Sequence, residues 1–219
     1  MLSRIALGAA VALLSTSAMA ADLIIDEPAA VIPTSAFDWS GFYVGAYAGG
    51  ASGSVLVDPL DAPDESTATG WLLGVQAGAN AQFDTFVLGV EGDVAWSNIT
   101  NEDDVTCGAL CGLVDVNWIA SLRGRAGVAF DQVLLFATAG VAGAGVDYTD
   151  LDVGPTPTLS DTHFGWTAGF GVEVAVTENI SAKAEYAYYD FGEVTYNIGT
   201  PDDVSFNLHT VKAGLNFHF

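Results

Sequence analysis

Beyond its first twenty residues the chain carries four cations: Arg123, Arg125, Lys183 and Lys212. Each falls in a stretch where apolar and polar residues alternate, and each sits on the polar parity. Glu91, Asp93, Glu173 and Glu185 sit on the same parity of similar stretches, so these eight charges balance, four against four. Gathered inside one narrow wall they must pair, because an isolated charge away from water is costly. One reading is then an interior ion-pair network that plugs the lumen. The other is a charged constriction of a small channel.

Other reactive residue types are sparse. Cys107 and Cys111 frame Gly108-Ala109-Leu110. In an exported chain they are expected to form a disulfide that pins a loop tip, worth about 2 kcal/mol for so short a loop. A metal pair or redox site is the alternative, but further ligands and the setting of a redox helix are missing. The histidines are His163, His209 and His218. His163 and His209 lie near strand ends and are weak candidates for haem iron, which histidine commonly ligates; acidic surroundings suit haem propionates poorly. Ser160, Asp161 and His163 are neighbours in sequence, and adjacent residues on one strand do not converge as a triad. No enzyme activity, metal site or cofactor is expected.

The remaining acids cluster between the alternating stretches. Asp58, Asp61, Asp64 and Glu65 form a first group, Glu102, Asp103, Asp104 and Asp115 a second, Asp147, Asp150, Asp152 and Asp161 a third, and Glu193, Asp202 and Asp203 a fourth, with no Lys or Arg among them. Oxygen clusters suit hard divalent cations, which could bridge to lipopolysaccharide phosphates. No ordered calcium motif is present, and a solvated acidic surface is the plainer expectation. With 27 Asp and Glu against five Lys and Arg, a formal charge of -22, the chain offers no basic patch for nucleic acid.

The elements that would position these residues are strands. Alternation predicts eight of them, over 41–50, 70–83, 86–96, 116–130, 133–148, 164–176, 180–189 and 209–219. The fifth has apolar residues on both parities, which leaves its inward face open. Tight turns at Asp84, Asp131 and Glu178-Asn179 alternate with connections of roughly 14 to 20 residues, the pattern of outer-membrane barrels. Trp71, Trp96, Trp118 and Trp166 lie on the apolar parity at the long-connection ends. Each is 10 or 12 residues from Phe83, Phe86, Phe130 or Val176 at the turn end. At ~3.3 Å per residue and ~40° tilt this is roughly 25–30 Å, the height of a membrane barrel's apolar band. No run reaches the ~18 apolar residues of a spanning helix. The fold expected is therefore all-β: an eight-stranded antiparallel transmembrane up-and-down barrel over 41–219. Residues 1–20 read as a signal peptide, with Arg4, the apolar run Ile5–Leu14 and the cleavage site Ala18-Met19-Ala20. Residues 21–40 read as an extended periplasmic lead-in.

Three segments resemble a known family: FDWSGFYVGAYAGG (Phe37–Gly50), GWTAGFGVEVAVTENISAKAEYAYYDFG (Gly165–Gly192) and HTVKAGLNFHF (His209–Phe219). They are similar to the small eight-stranded outer-membrane barrel proteins of α-proteobacteria, among them "porin family" major surface antigens and haemin-binding surface proteins. The resemblance implies an outer-membrane location. It also implies that Lys212, Gly214, Leu215, Phe217 and Phe219 act as the signal read by the barrel-assembly machinery, with periplasmic chaperones escorting the chain. The function expected is structural: anchoring in and supporting the outer membrane, contacting its lipid and lipopolysaccharide, and displaying four acidic loops. A small-solute porin, or a binding protein for haemin or a host surface, are the alternatives.

Overall fold

The computed structural model describes residues 37–58, 64–101, 112–150, 158–198 and 200–219. The expected signal peptide, most of the lead-in and both cysteines, Cys107 and Cys111, lie outside them. Eight strands follow in chain order: β1 (Gly41–Asp58), β2 (Asp64–Phe83), β3 (Phe86–Asn101), β4 (Gly112–Phe130), β5 (Val133–Asp150), β6 (Thr158–Ala175), β7 (Ile180–Ile198) and β8 (Thr200–His218). Each pairs antiparallel with its sequence neighbour, and β8 returns to β1, so the barrel is closed. The closing seam runs from Tyr43 opposite His218 to Asp58 opposite Asp203. No helix among the described residues is long and apolar enough to cross a membrane; this chain crosses with strands.

Side-chain alternation decides which face is which. Leu73, Val90, Leu122, Phe170, Val211 and Leu215 point outward and are exposed, as lipid-facing residues must be. Trp71, Trp96 and Trp166 form an outward belt at one end, and Phe83, Phe86 and Phe130 another at the turn end. Trp118 stands opposite Trp96 in the ladder but lies flat over Gly145, where an added Cβ would meet its indole nitrogen. Asp84 (φ 60°) and Asp131 (φ 52°) open the two shortest turns in left-handed geometry, which a short polar side chain tolerates better than most. Thr177 stabilises the third turn by accepting the backbone N–H of Ile180 on its hydroxyl at 3.0 Å.

Three expectations change. The strands run well past the predicted limits on the side opposite the turns, leaving connections of only 59–63, 102–111, 151–157 and 199. Most acids expected in long loops, from Asp58, Asp64 and Glu65 to Asp202 and Asp203, therefore lie on strand backbone. Both faces are wet beyond the apolar band, so pairing continues there without the alternation that signals it. The parity of β5 is settled: Leu134, Phe136, Thr138, Ala142 and Ala144 face in, while Leu135 and Val141 face out. A register shift between Val116 and Trp118 turns both Val116 and Ile119 inward. Asn117, although it shares the sequence parity of the inward Arg123 and Arg125, is exposed and donates to Asp147 at 2.6 Å.

An eight-stranded barrel is just wide enough for side chains to fill, and inward glycines make the room. A Cβ at Gly74 would lie 2.4 Å from the Tyr47 ring, and one at Gly78 would lie 2.5 Å from the Tyr43 ring. Each tyrosine therefore lies flat across a glycine of β2. Gly74→Val should cost about 1–3 kcal/mol, the usual penalty of overpacking. Gly50→Val faces outward, with the Gly70 carbonyl oxygen 3.9 Å from the added Cβ, and should be neutral. Urea unfolding of the refolded barrels in micelles checks the pair.

Candidate functional site

The interior is built in three storeys. At the loop side, Leu72, Ile99, Val116, Ile119, Tyr189, Phe191 and Leu208 form an apolar cluster. The charged residues fill the middle. At the turn side Trp39, Val87, Ala129, Leu134, Phe136 and Ala175 form a second apolar cluster, with Phe37 packed against it.

All eight charged residues predicted to face inward are buried there. Arg123 of β4 is the hub. Its Nη2 reaches Glu91 at 2.6 Å and Asp93 at 3.1 Å, both on β3, and its Nη1 pairs with Glu185 of β7. Lys183 binds Glu91 at 2.7 Å and Glu185 at 2.8 Å, and Lys212 of β8 approaches Glu185 at 3.6 Å. Arg125 pairs with Glu173 of β6. Its guanidinium lies over the Phe136 ring, 4.0 Å from the centroid.

Neutral side chains join these pairs into one network. Tyr43 donates to Glu91 at 2.7 Å and accepts from Arg125 at 3.2 Å. Tyr47 donates to Asp93 at 2.6 Å, as does Ser121. Ser181 donates to Glu173, and Asn216 does so at 2.6 Å. Gln76 donates to Asn216 and accepts from Lys183 at 3.2 Å. The space between Tyr47, Gln76, Lys183, Glu185, Lys212 and Gly214 is about 10 Å³, room for about one water. Such an arrangement pairs charge and fills volume.

Sequence reasoning missed the turn-side closure. Trp39, expected merely to precede the barrel, is fully buried in its mouth. Its ring lies 4.7 Å from Phe37 and 5.8 Å from His218. Its backbone N–H donates to Gln82 at 2.8 Å, and Gln82 in turn donates its own N–H to Ser40 at 3.1 Å. The last residues of the lead-in thus cork the barrel. The signal available was a lone tryptophan just before a strand, outside the spacing that relates the other four to the turn end. His218, left without a role, joins the cork to the network: its Nε2 is 2.9 Å from Ser181 Oγ and 3.5 Å from Glu173.

The two haem candidates do not converge. His163 faces inward and is buried. His209 faces outward, its Nδ1 2.7 Å from the Tyr186 hydroxyl and its ring 5.0 Å from Tyr188. They stand on opposite faces of the wall and cannot share one iron. Among the described residues no three His, Cys, Asp or Glu side chains are placed to hold a metal ion. In the predicted assembly signal, Lys212 and Gly214 face in while Leu215, Phe217 and Phe219 face out toward lipid at the turn side.

A closed antiparallel barrel with an apolar exterior, two aromatic belts and a filled polar interior is an outer-membrane β-barrel. The chain belongs to the family described as outer membrane protein beta-barrel domain, whose model matches residues 7–219. It is 35% identical to the 31 kDa outer-membrane immunogenic protein of Brucella melitensis, over 95% of this chain and 96% of that one. It is 32% identical to the 22 kDa outer membrane protein of Rhizobium leguminosarum, over 83% of this chain and 78% of that one. Among solved structures it is similar to the outer membrane protease OmpT of Escherichia coli, with a TM-score of 0.50, covering 85% of this chain and all (100%) of that one. At 10% identity that likeness concerns the fold alone. The protein is thus a resident of the outer membrane.

Removing the hub leaves Glu91, Asp93 and Glu185 short of a cation. Arg123→Met should cost about 3–5 kcal/mol, the penalty for breaking a buried pair; adding Glu185→Gln should recover part of it. Trp39→Ala should cost about 3–5 kcal/mol, whereas a loose lead-in would lose nothing. Urea midpoints of the heat-modifiable band measure both.

Proposed function

We propose that the protein is a structural, surface-presenting barrel. It anchors in the outer membrane, supports the envelope, and holds acidic strand ends and connections outside the cell. The observation that carries this reading is the filled interior. Arg123, Arg125, Lys183 and Lys212 are each committed to buried carboxylates, and an aromatic cork lies beneath them. The turns then face the periplasm, where the cork sits, and the longer strand ends face outward. The names of the Brucella relatives, immunogenic outer-membrane proteins, support display at the surface. In the same reading the outward Leu215, Phe217 and Phe219 with inward Lys212 and Gly214 are what the barrel-assembly machinery engages, after periplasmic chaperones deliver the chain. The acidic outer rim meets lipopolysaccharide through divalent cations. A Cys107–Cys111 disulfide would pin the connection that contains it. No catalytic step is proposed.

The test is single-channel recording on refolded protein that migrates as a heat-modifiable band. The expected result is silence in planar bilayers. Steady unitary conductance from the folded form would replace the structural reading with a pore.

A further inference from the structure

Every strand except β1 and β5 sets an outward ring at the loop-side belt: Trp71, Trp96, Trp118, Trp166, Tyr188 and His209. On β5 the place is taken by Val141, 63% exposed. On β1 it falls to Gly50, which stands opposite Trp71 on one side and Val211 on the other. A Cβ added there would meet nothing closer than the Gly70 carbonyl oxygen at 3.9 Å, so the belt has a gap.

The gap heads a trough. The outward residues of β1 next to it are Ala46, Ala48 and Ser52. Larger exposed side chains wall the trough on both sides: Trp71, Leu73 and Val75 on β2, Val211 and Leu215 on β8. Toward the turn side it opens into a groove of about 550 Å³ between Val44, Val75, Ala77, Gly92 and Val94. From Ser52 to Val44 it runs roughly 26 Å at ~3.3 Å per residue, longer than one leaflet of a hydrocarbon core ~30 Å thick.

The head of the trough is polar. Ser52 stands across from His209 on β8 and from Thr69 on β2. The imidazole is held in place. Its Nδ1 is 2.7 Å from the Tyr186 hydroxyl, and its ring lies 5.0 Å from Tyr188, which packs on Trp166 at 5.4 Å. When Nδ1 accepts the phenol proton, Nε2 carries the ring N–H, a donor for an oxygen anion. Among the described residues no other basic side chain faces out: Arg123, Arg125, Lys183, Lys212, His163 and His218 are all buried. Asp190, the acid beside this cluster on β7, is engaged by the Tyr188 hydroxyl.

An occupant of this surface needs an apolar tail, an anionic oxygen at its head, and a hydrogen-bonding body that enters between Trp71 and His209. A second copy of this chain fails on charge, because it would bring the same acidic strand ends, where Asp58 pairs with Asp203 in the ladder of these two strands. A phosphorylated sugar lipid meets all three demands, with a tryptophan at headgroup depth to lie against the sugar. We propose that the β1 trough seats one phosphorylated glycolipid of the outer leaflet. An acyl chain lies along Val44–Ser52, a phosphate accepts from His209, and the sugar rests on Ser52, Thr69 and Trp71. This deepens the lipopolysaccharide contact proposed above by a site that needs no divalent cation, and it rests on the loop side facing outward.

The test is native mass spectrometry of the full refolded chain. It is released from micelles holding diphosphoryl lipid A and phosphatidylglycerol in equal amounts, with EDTA present to remove divalent cations. The wild type should retain one lipid A about tenfold or more in preference to phosphatidylglycerol. Lipid A stripped of its phosphates should lose most of that preference. His209→Ala removes the donor and Gly50→Trp fills the gap; each should lower retention about tenfold. Val141→Trp, at the β5 place in the belt, should leave it unchanged. Heat-modifiability shows that each variant has folded, and if one does not fold, the wild-type lipid comparison and the other variant decide. Equal retention of the two lipids by the wild type, unchanged retention in both His209→Ala and Gly50→Trp, or an equal loss in Val141→Trp would overturn the proposal. Conductance reads the structural role separately: a barrel that conducts and still selects lipid A sinks that role and leaves this site standing.

Discussion

Lipid offers no partner to a backbone N–H or C=O, and the whole molecule follows from that constraint. A sheet in hydrocarbon must close, because each unsatisfied group costs several kcal/mol. The β1–β8 seam meets this demand, placing the last strand of the chain against the first. Closure with eight strands then fixes the bore, and the bore fixes the interior. It cannot hold eight walls of large side chains. Glycines therefore sit opposite tyrosines, with Gly74 beneath Tyr47 and Gly78 beneath Tyr43. The tyrosines in turn carry hydroxyls to the carboxylates of β3.

The charged middle storey needs a reason beyond stability, since a well-packed apolar filling often does as well as buried ion pairs. Register supplies one. A one-residue slip turns every side chain of a strand to the other face. For β4 that slip would carry Arg123 and Arg125 into lipid, at roughly 2–4 kcal/mol each near the midplane. It would also leave Glu173 without its arginine and Glu91, Asp93 and Glu185 one cation short. An apolar interior facing an apolar exterior would resist the slip far less. The pairs span β3, β4, β6, β7 and β8, and Tyr43 and Tyr47 tie in β1, so most of the wall is pinned at once.

What could be read from the sequence divides along the same line. Inside the membrane two different solvents face the two sides of each strand, and alternation reports them. The inward set of eight charges and the outward tryptophans at 71, 96 and 166 were visible for that reason. Where both faces meet water the signal vanishes, and strands that continue past the apolar band read as loops. Where both faces are apolar, as on β5, parity is silent. Register shifts such as the one beside Val116 change a face without changing composition, which is why Asn117 faces out despite sharing the parity of Arg123. Trp39 escaped for another reason: it is held by the closed mouth of the barrel, a surface that exists only after folding.

Beyond the aromatic belt, water can satisfy any group that the ladder leaves free. Bulges and glycine bends are therefore tolerated on the loop side. The Asp190-Phe191-Gly192 step uses that freedom directly above Tyr188 and Trp166, while Phe191 stays buried and stacked on Tyr189, with ring centroids 6.2 Å apart. One residue of the step thus anchors the strand to the core, and the next bends its backbone. A barrel whose interior is committed to its own closure can interact with its surroundings only through its outer surface and ends, and the wet end is where its backbone is free to vary.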